Sequence, residues 1–263
     1  MFIRDITSRA NPLIVNTSAL LTAKGRKAQR RYLYEGIKLF YEAVDSDISI
    51  EYIVATESCI GIIDKKLPNT SIKTYIVPAT CFEKMSSEKA PQGIICVSSL
   101  SKLPDVKEAS VDIPCVILSD IQDAGNVGTI IRTAKALCDM NVVLCGACAD
   151  VFGHKTIRAS MGAVFKQSIY TCESFEKAVE YFKSNGKQVY AAALSDSAMS
   201  IAECDLSNSV VALGNEGHGL SKDQIELCRP IIIPMHGMES LNVATAATVI
   251  IWEMARGGFN GRL

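Results

Sequence analysis

The sequence predicts an α/β protein whose second part contains a buried parallel sheet. Short apolar runs alternate with segments of helical periodicity, which is typical of strands connected by crossover helices. Cys115–Leu118 is apolar throughout and Ser209–Leu213 is apolar after its first residue, as expected of strands that are covered on both faces. The 263 residues, 48% of them hydrophobic, are sufficient for a large core in one or two domains.

A polar stretch divides the chain into two parts. Residues 99–114 read SLSKLPDVKEASVDIP, a charged sequence that is interrupted by prolines. Such composition is typical of a linker. We therefore expect a first domain over residues 1–100, a linker over residues 101–112 and a second domain over residues 113–263.

The first part has the pattern of a small α/β unit. A helix is expected within residues 1–20, and another over Arg26–Ala43, where apolar residues recur at helical spacing. The remaining elements are one short helix, Thr80–Met85, and three strands, Ile50–Ala55, Ser71–Val77 and Gly93–Ser98.

The second part alternates strands and helices more regularly. The expected strands are Cys115–Leu118, Asn141–Leu144, Val164–Tyr170, Gln188–Ala193, Ser209–Leu213 and Ile231–Ile233. The expected helices are Gly125–Cys138, Ser174–Ser184, Ser221–Leu227 and a last one from Ser240 to the Gly257–Gly258 pair. Ser240 is the expected N-cap of this last helix, because its hydroxyl can accept a hydrogen bond from a first-turn N–H.

The charge is distributed unevenly along a chain of net charge −1. Residues 1–110 carry 15 Lys and Arg against 12 Asp and Glu, whereas residues 111–263 carry 12 against 16. Five basic residues cluster at Lys24, Arg26, Lys27, Arg30 and Arg31. The cluster is either a phosphate-binding surface or a solvated helix face, and charge alone does not separate the two.

Several classes of protein and site are not expected. No apolar run reaches the roughly 18 residues of a membrane span, and the N-terminus lacks a signal-peptide pattern, so the expected location is the cytoplasm. The ten cysteines lie mostly in apolar runs, as reduced thiols do. The Cys145-Gly-Ala-Cys148 motif has no second pair, and the three histidines are not at metal-ligand spacing, so no metal is expected.

Three strand–loop–helix junctions carry polar residues, as the ligand sites of α/β proteins do. In the first, Gly128 lies one helical turn below Arg132 and leaves room beneath its guanidinium. Asn126 precedes them, and the alternative is that Asn126 is an N-cap and Arg132 an ordinary surface arginine.

The second and third junctions lie in the C-terminal third. Residues 213–221 contain three glycines in the order GxxGxG, not the GxGxxG of a dinucleotide-binding loop. The central Glu216 disfavours a pyrophosphate, because two anions repel each other. It favours a ligand whose nearby part is neutral or cationic. The third junction places Ser240 and Asn242 at the start of the last helix.

Together the three junctions resemble the motifs of the SpoU/TrmH branch of the SPOUT superfamily of RNA methyltransferases. The similar segments are Asn126-Val-Gly128-Thr-Ile-Ile-Arg132-Thr-Ala, Leu213-Gly-Asn-Glu216-Gly-His-Gly-Leu-Ser221, and Ile233-Pro-Met with Glu239-Ser240-Leu-Asn242-Val-Ala. They cover about residues 113–257, and Ala124 departs from the pattern because a proline often stands there. Residues 1–100 more weakly resemble the family's substrate-binding domain, a small fold like that of ribosomal RNA-binding proteins, with Arg31-Tyr-Leu-Tyr-Glu-Gly36 as the similar opening.

The resemblance implies a trefoil knot in the C-terminal domain, an obligate homodimer and S-adenosylmethionine as the cofactor for methylation of a ribose 2′-hydroxyl. Ribosomal RNA is the expected substrate. The alternatives are a transfer-RNA methyltransferase, a non-catalytic RNA-binding protein and a nucleotide-dependent oxidoreductase.

The resemblance also assigns residues to the sites. The expected cofactor-binding residues are Leu213, Gly214, Asn215, Gly217, Ile233, Met235 and Leu241. The expected catalytic residues are Arg132, Asn126, Glu216, Ser240 and Asn242. RNA contacts are expected from Lys24, Arg26, Lys27, Arg30 and Arg31.

By the same resemblance, Arg132 is the central catalytic residue. A guanidinium ordinarily stays protonated, so a role as general base requires help from an RNA phosphate. In the second version, Arg132 only clamps that phosphate and aligns the hydroxyl. Arg132 acts either across the dimer interface or within its own subunit.

Overall fold

The computed structural model describes residues 2–4, 6–195, 197–237 and 240–258. The elements of the first 102 residues are β1 (Phe2–Ile3), α1 (Pro12–Ala19), α2 (Ala23–Gln29), β2 (Arg31–Glu35), α3 (Ile37–Asp45), β3 (Ile50–Ala55), α4 (Ile60–Lys66), β4 (Lys73–Ile76), α5 (Ala79–Met85) and β5 (Ile94–Ser99). Those that follow are β6 (Cys115–Ser119), α6 (Ala124–Leu137), β7 (Asn141–Cys145), α7 (His154–Ser160), β8 (Ser168–Cys172), α8 (Phe175–Ser184), β9 (Val189–Ala192), β10 (Met199–Ser200), β11 (Val210–Leu213), α9 (Lys222–Glu226), β12 (Arg229–Ile232) and α10 (Val243–Ala255).

The chain forms two compact units. The N-terminal unit contains Met1–Lys102 and Asp150–Phe165, and the C-terminal unit contains Leu103–Ala149 and Lys166–Leu263. This division differs from the expected boundaries, because α7 belongs to the first unit and most of the expected linker to the second. The linker packs because Val106 and Ala109 are buried in the hydrophobic core of the C-terminal unit.

The N-terminal unit is built on a mixed sheet. Its strands lie in the order β1-β4-β3-β5-β2 within the described residues, with β5 antiparallel to both β3 and β2. The single helix expected over Arg26–Ala43 is correct only at its ends, which belong to α2 and α3, because β2 lies between them. Gly36, at φ 114°, separates β2 from α3, and the β-prone aromatic residues of β2 pair with β5 from Arg31↔Ser99 to Glu35↔Ile95.

The segment Asp150–Phe165 completes this unit through aromatic contacts with β2. The ring centroids of Tyr32 and Phe152 are 4.9 Å apart, as are those of Tyr34 and Phe165. Both tyrosines are buried. The segment therefore covers the β2 edge of the sheet, although it is distant in sequence.

The C-terminal unit contains the expected parallel sheet. In the described residues its strands lie in the order β10-β12-β9-β11-β6-β7-β8, and all neighbouring pairs are parallel. β6 and β7 are buried at every position, which confirms a sheet covered on both faces. Since β12, β9, β11 and β6 are neighbours, the loops that follow these four strands meet at one edge of the sheet.

Some details of this unit differ from expectation. The strand expected over Val164–Tyr170 begins only at Ser168, because Ala163–Phe165 form a 3-10 turn. All ten cysteines are free thiols. In the described ranges, we find no helix with the length and apolar character that a membrane crossing requires.

Candidate functional site

The first junction follows β6 and leads into α6. Asp123 is the N-cap of α6, and its Oδ1 accepts a hydrogen bond of 2.8 Å from the backbone N–H of Asn126. The alternative that Asn126 is itself the N-cap is therefore wrong. The side chain of Asn126 remains available to contact the other two junctions.

Glu216 joins the second junction to the first. Its carboxylate accepts hydrogen bonds from the backbone N–H groups of Gln122 (3.3 Å) and Asp123 (3.1 Å) and from Nδ2 of Asn126 (3.1 Å). Partial burial raises the pKa of Glu216, but hydrogen bonds from Asn126 and the backbone outweigh it, so the pKa lies below its usual value. We expected Glu216 to lie near a neutral or cationic part of the ligand, and in the structure three uncharged donors also stabilise its carboxylate.

Asn242 joins the third junction to the first. Its Nδ2 donates a hydrogen bond of 3.1 Å to Oδ1 of Asn126. Its Oδ1 accepts from the backbone N–H groups of Ala244 (2.9 Å) and Thr245 (3.3 Å). Asn242 is thus the N-cap of α10, and the expectation of Ser240 in that position is wrong because the helix begins only at Val243. A chain of hydrogen bonds, Glu216–Asn126–Asn242, connects all three junctions.

The loop after β11 has a tight backbone. A Cβ on Gly214 would lie 2.3 Å from the carbonyl carbon of Gly219, so only glycine fits there. Oδ1 of Asn215 accepts a hydrogen bond of 2.8 Å from the N–H of Gly217, and its Nδ2 donates one of 2.8 Å to the carbonyl of Asp120. The glycines therefore serve a compact turn that is held by Asn215.

These loops border a cleft of about 590 Å³ in the C-terminal unit. It is lined by Ala192–Leu194, Leu213–Leu220, Ile225, Ser240–Val243 and Ala246. A smaller apolar cavity of about 130 Å³ shares part of this lining and is also bordered by Ile231–Ile233, Met235 and Ile250.

All seven expected cofactor-binding residues line one of these two cavities. Of the expected catalytic residues, Glu216, Ser240 and Asn242 line the larger cleft, and Asn126 contacts two of them. Glu239, which belongs to the third motif, lies outside the described residues.

Arg132 is not in the cleft. It is an exposed residue of α6, six positions after Asn126, which corresponds to about 9 Å along the helix axis. Neither cavity is lined by Arg132. Within one chain, the structure therefore brings together the other expected site residues but leaves Arg132 apart from them.

The basic cluster of the N-terminal unit has a buried member. Arg26 is only 5% exposed. Its Nε and Nη2 donate hydrogen bonds of 2.9 and 2.7 Å to Oδ2 of Asp150, and its Nη1 donates to the carbonyls of Leu20 (3.0 Å) and Leu21 (3.2 Å). The expectation that Arg26 contacts RNA is corrected, because its guanidinium is buried and its donors are engaged inside the unit.

The other four basic residues of the cluster reach solvent. Lys24, Lys27 and Arg30 are exposed, and the half-exposed Arg31 is paired with Glu51 at 2.6 Å. A polar depression of about 530 Å³ is lined by Gln29, Arg30, Arg31, Glu51 and Ser99–Lys102.

The sequence did not indicate some residues of these sites. Lys102 borders the basic depression but was assigned to the linker. Ala192–Leu194 border the cleft, and their apolar side chains give no signal of a binding site. Over the described ranges, no group of three or more His, Cys, Asp or Glu side chains is arranged to hold a metal ion.

Residues 114–252 match the SpoU rRNA Methylase family, and residues 11–96 match the MRM3-like substrate binding domain. The first match contains all three junctions, and the second covers most of the N-terminal unit.

Individual relatives and solved structures are also similar. The 23S rRNA (guanosine(2553)-2′-O)-methyltransferase of Bacillus subtilis strain 168 is 28% identical over 95% of this chain and 99% of its own length. The 23S rRNA (adenosine(1067)-2′-O)-methyltransferase of Streptomyces laurentii is 27% identical over 95% of both chains. The crystal structure of an AdoMet-bound rRNA methyltransferase from Sinorhizobium meliloti superimposes with a TM-score of 0.86 and 27% identity over 97% of this chain and 98% of that one.

The matched segment spans more than half of the chain and includes the whole hydrogen-bonded site. The chain belongs to the SpoU rRNA methylase family.

Proposed function

We propose that this protein transfers a methyl group from S-adenosylmethionine to a ribose 2′-hydroxyl of ribosomal RNA. The observation that carries the proposal is the convergence of the three junctions on one cleft through Glu216, Asn126 and Asn242. The names of the two similar 23S rRNA 2′-O-methyltransferases favour ribosomal RNA over transfer RNA. Family membership also argues against a nucleotide-dependent oxidoreductase.

The residues of the cleft fit the cofactor. A volume of about 590 Å³ suits a ligand of this size. Backbone groups around Gly214, Ile233 and Leu241 would hold the adenine and ribose, and the apolar residues beside them would exclude water. When bound, the cofactor supplies a methyl group that is activated by a positively charged sulfur. The nearby carboxylate of Glu216 is compatible with that charge.

The methyl transfer requires a nucleophilic oxygen. The O–C bond forms as the S–C bond breaks, and the hydroxyl proton must leave because a ribose hydroxyl is a weak nucleophile. In one version, Arg132 accepts this proton after deprotonation assisted by an RNA phosphate. In the other, Arg132 stays protonated, holds the phosphate and orients the hydroxyl, and the proton passes to solvent water. Asn126, Ser240 and Asn242 would position the ribose beside it.

The distance of Arg132 from the cleft supports a homodimer in which the partner supplies this residue. Exposed positions of α6 and α10 form a candidate interface, and these helices lie side by side, with the hydroxyls of Thr133 and Thr248 3.4 Å apart. The interface would include Thr129, Arg132, Thr245, Thr248 and Trp252, which are all exposed. An isologous dimer has two equivalent sites, so each copy would supply one such arginine to the cleft of the other.

The family's trefoil knot and a cytoplasmic location complete the proposal. α10 follows β12 yet packs beside α6, which follows β6, three strands away in the sheet. Such a return of the chain is what a knotted C-terminus requires. A cytoplasmic location agrees with the ten free thiols.

RNA contact by the N-terminal unit is proposed for the exposed basic residues only. Lys24, Lys27 and Arg30 are exposed, and Arg31 and Lys102 border the depression beside them. Glu51 partly offsets the charge of Arg31. Phosphate groups of RNA are the ligands that such a surface favours.

A comparison of two variants of α6 tests the reaction. Arg132→Ala should lower turnover on ribosomal RNA by about 10²–10⁴, while the affinity for S-adenosylmethionine stays unchanged because Arg132 does not line the cleft. Lys135→Ala, an exposed change one turn further along α6, is the matched control and should keep wild-type turnover.

Turnover is measured as 2′-O-methyl groups formed per enzyme on ribosomal and transfer RNA. Near-normal turnover of Arg132→Ala would refute both roles of the arginine. No methylation of ribosomal RNA by the wild-type protein, or no binding of S-adenosylmethionine, would refute the proposed function itself. Mapping of 2′-O-methylated nucleotides in total RNA with and without the gene identifies the position modified.

A further inference from the structure

We propose that Asp120 is a positioning residue that fixes the loop Leu213–Ser221 in the conformation that binds the cofactor. The inference rests on the proposed function, because it assigns this loop to S-adenosylmethionine. Asp120 lines neither cavity, so it acts through other residues.

The backbone of Asp120 is held in an unusual conformation at the end of β6. Its φ of 56° lies in the left-handed region, which residues other than glycine seldom adopt. Its N–H donates a hydrogen bond of 3.1 Å to the carbonyl of Cys145. Its own carbonyl accepts one of 2.8 Å from Nδ2 of Asn215. Strained conformations of this kind persist where several contacts with the surrounding structure hold them in place.

The carboxylate of Asp120 accepts two hydrogen bonds that hold this conformation. Oδ1 accepts a hydrogen bond of 2.7 Å from the N–H of Ala147, and Oδ2 accepts one of 3.2 Å from the hydroxyl of Ser119. The carboxylate also packs closely against Gly146, where an added Cβ would lie 2.3 Å from Oδ1 of Asp120. A glycine at position 120 would reach the same φ more easily, but it would lose these bonds and the fixed direction of the carbonyl.

The orientation of the Asp120 carbonyl affects the start of the loop, because Asn215 donates a hydrogen bond to it. Asn215, which donates to it, accepts a hydrogen bond of 2.8 Å at Oδ1 from Gly217 and one of 2.9 Å at its backbone carbonyl from Gly219. Asn215, Gly217 and Gly219 all line the cleft. A change in the direction of the Asp120 carbonyl therefore affects the backbone groups that face the ligand.

The neighbouring Ser119 holds the other end of the same loop. Its hydroxyl accepts a hydrogen bond of 3.1 Å from Nε2 of Gln224, whose Oε1 accepts one of 2.9 Å from the N–H of Ser221. Ser119 is buried at 2% exposure. Ser119 and Asp120 thus hold both ends of the loop. Asp120 binds Asn215 near its start, and Ser119 binds Gln224, which in turn binds Ser221 at its end.

Two substitutions of Asp120 test the assignment in the full-length protein. Asp120→Gly keeps the left-handed backbone but removes the carboxylate, and it should raise the dissociation constant and KM for S-adenosylmethionine about 5- to 20-fold. Turnover at saturating cofactor should stay within about twofold, because the arrangement of the bound site is recovered once the ligand orders the loop. Asp120→Asn should restore near wild-type affinity, since its Oδ1 still accepts from Ala147.

A second measurement separates positioning from a general loss of structure. Amide hydrogen exchange at Gly217 and Gly219 should accelerate in Asp120→Gly and not in Asp120→Asn, while exchange in β6 and β7 stays unchanged. Ser119→Ala releases the other end of the loop and should shift the dissociation constant in the same direction. This variant gives the answer if Asp120→Gly does not fold.

The outcomes are distinct. Wild-type affinity and exchange in Asp120→Gly, or in Ser119→Ala when the glycine variant does not fold, would overturn the inference. The inference would also be overturned if Asp120→Gly lowered turnover while KM stayed unchanged. The same holds if Asp120→Asn lost as much affinity for S-adenosylmethionine as Asp120→Gly. Failure of the wild-type protein to bind S-adenosylmethionine would instead refute the proposed function.

Discussion

At the scale of single residues, burial decides what a basic side chain does. Arg26 and Lys27 are adjacent in sequence and equal in charge, yet Arg26 is 5% exposed and Lys27 is exposed. The difference arises from a tertiary contact, because Asp150, the partner of Arg26, lies 124 residues away. Local sequence contains no sign of that partner, so the basic cluster appeared uniform.

This contrast gives a prediction for two neighbouring substitutions. Arg26→Ala should lower the free energy of unfolding by about 2–4 kcal/mol, because it leaves two backbone carbonyls and Asp150 without their donor. Lys27→Ala should change it by less than about 0.5 kcal/mol. Urea denaturation of both variants measures the difference.

The same pair should behave in the opposite way towards RNA. Lys27→Ala should weaken RNA binding and reduce the slope of log K against log salt by about 1, as expected for the loss of one phosphate contact. Titrations at several salt concentrations measure this slope. A folded Arg26→Ala variant of normal stability with the larger loss of RNA affinity would show that Arg26, and not Lys27, is the phosphate ligand.

At the scale of elements, hydrophobic patterns found most strands and helices, but the ends of elements depended on side-chain contacts. β2 was missed because Arg31–Glu35 is short and continues the apolar spacing of α3, whereas its pairing with β5 is a tertiary property. Ser240 and Asn242 are both good N-cap residues. Only the position where α10 begins decided that Asn242 is the cap.

Two glycines of one loop give a prediction at this scale. A Cβ at Gly214 would lie 2.3 Å from Gly219 and 2.4 Å from the backbone nitrogen of Leu220, whereas one at Gly217 would meet only Oδ1 of Asn215, at 3.4 Å. Gly214→Ala should therefore weaken binding of S-adenosylmethionine by about tenfold or more, and Gly217→Ala by less than about threefold.

Calorimetric titration of both variants, with thermal unfolding as a control for the fold, tests this difference. Equal affinities for the two variants would contradict the assignment of a sterically required glycine to position 214.

At the scale of the whole molecule, strand order assembles the site. The junctions lie far apart in sequence, since Asn242 follows Asn126 by 116 positions. However, β12, β9, β11 and β6 are neighbours in a parallel sheet, so the loops after them meet. The same arrangement leaves Arg132 on the exposed face formed by α6 and α10. In the proposed dimer, a second copy contributes this arginine to the active site.

Subunit mixing tests that arrangement. Assayed at a limiting cofactor concentration, Arg132→Ala and Gly214→Ala should each have little activity alone, because the first lacks the arginine and the second binds the cofactor weakly. If Arg132 acts across the interface, a heterodimer contains one intact site, and random mixing should restore about a quarter of the wild-type sites. Methylation after denaturation and joint refolding measures the recovery. Absence of recovery in verified heterodimers would show that Arg132 acts within its own chain.

The α/β class, the buried parallel sheet and the residues of the three junctions were predictable from the amino-acid sequence. These features follow from local hydrophobic patterns and from motifs whose spacing is fixed along the chain. The burial of Arg26, the capping of α10 by Asn242 and the hydrogen bonds of Glu216 to the start of α6 emerged from the three-dimensional structure. It also brought Asp120 beside Asn215 and placed residues 150–165 in the N-terminal unit. These are outcomes of long-range packing and hydrogen bonding, in which both partners must be known before either has a defined environment.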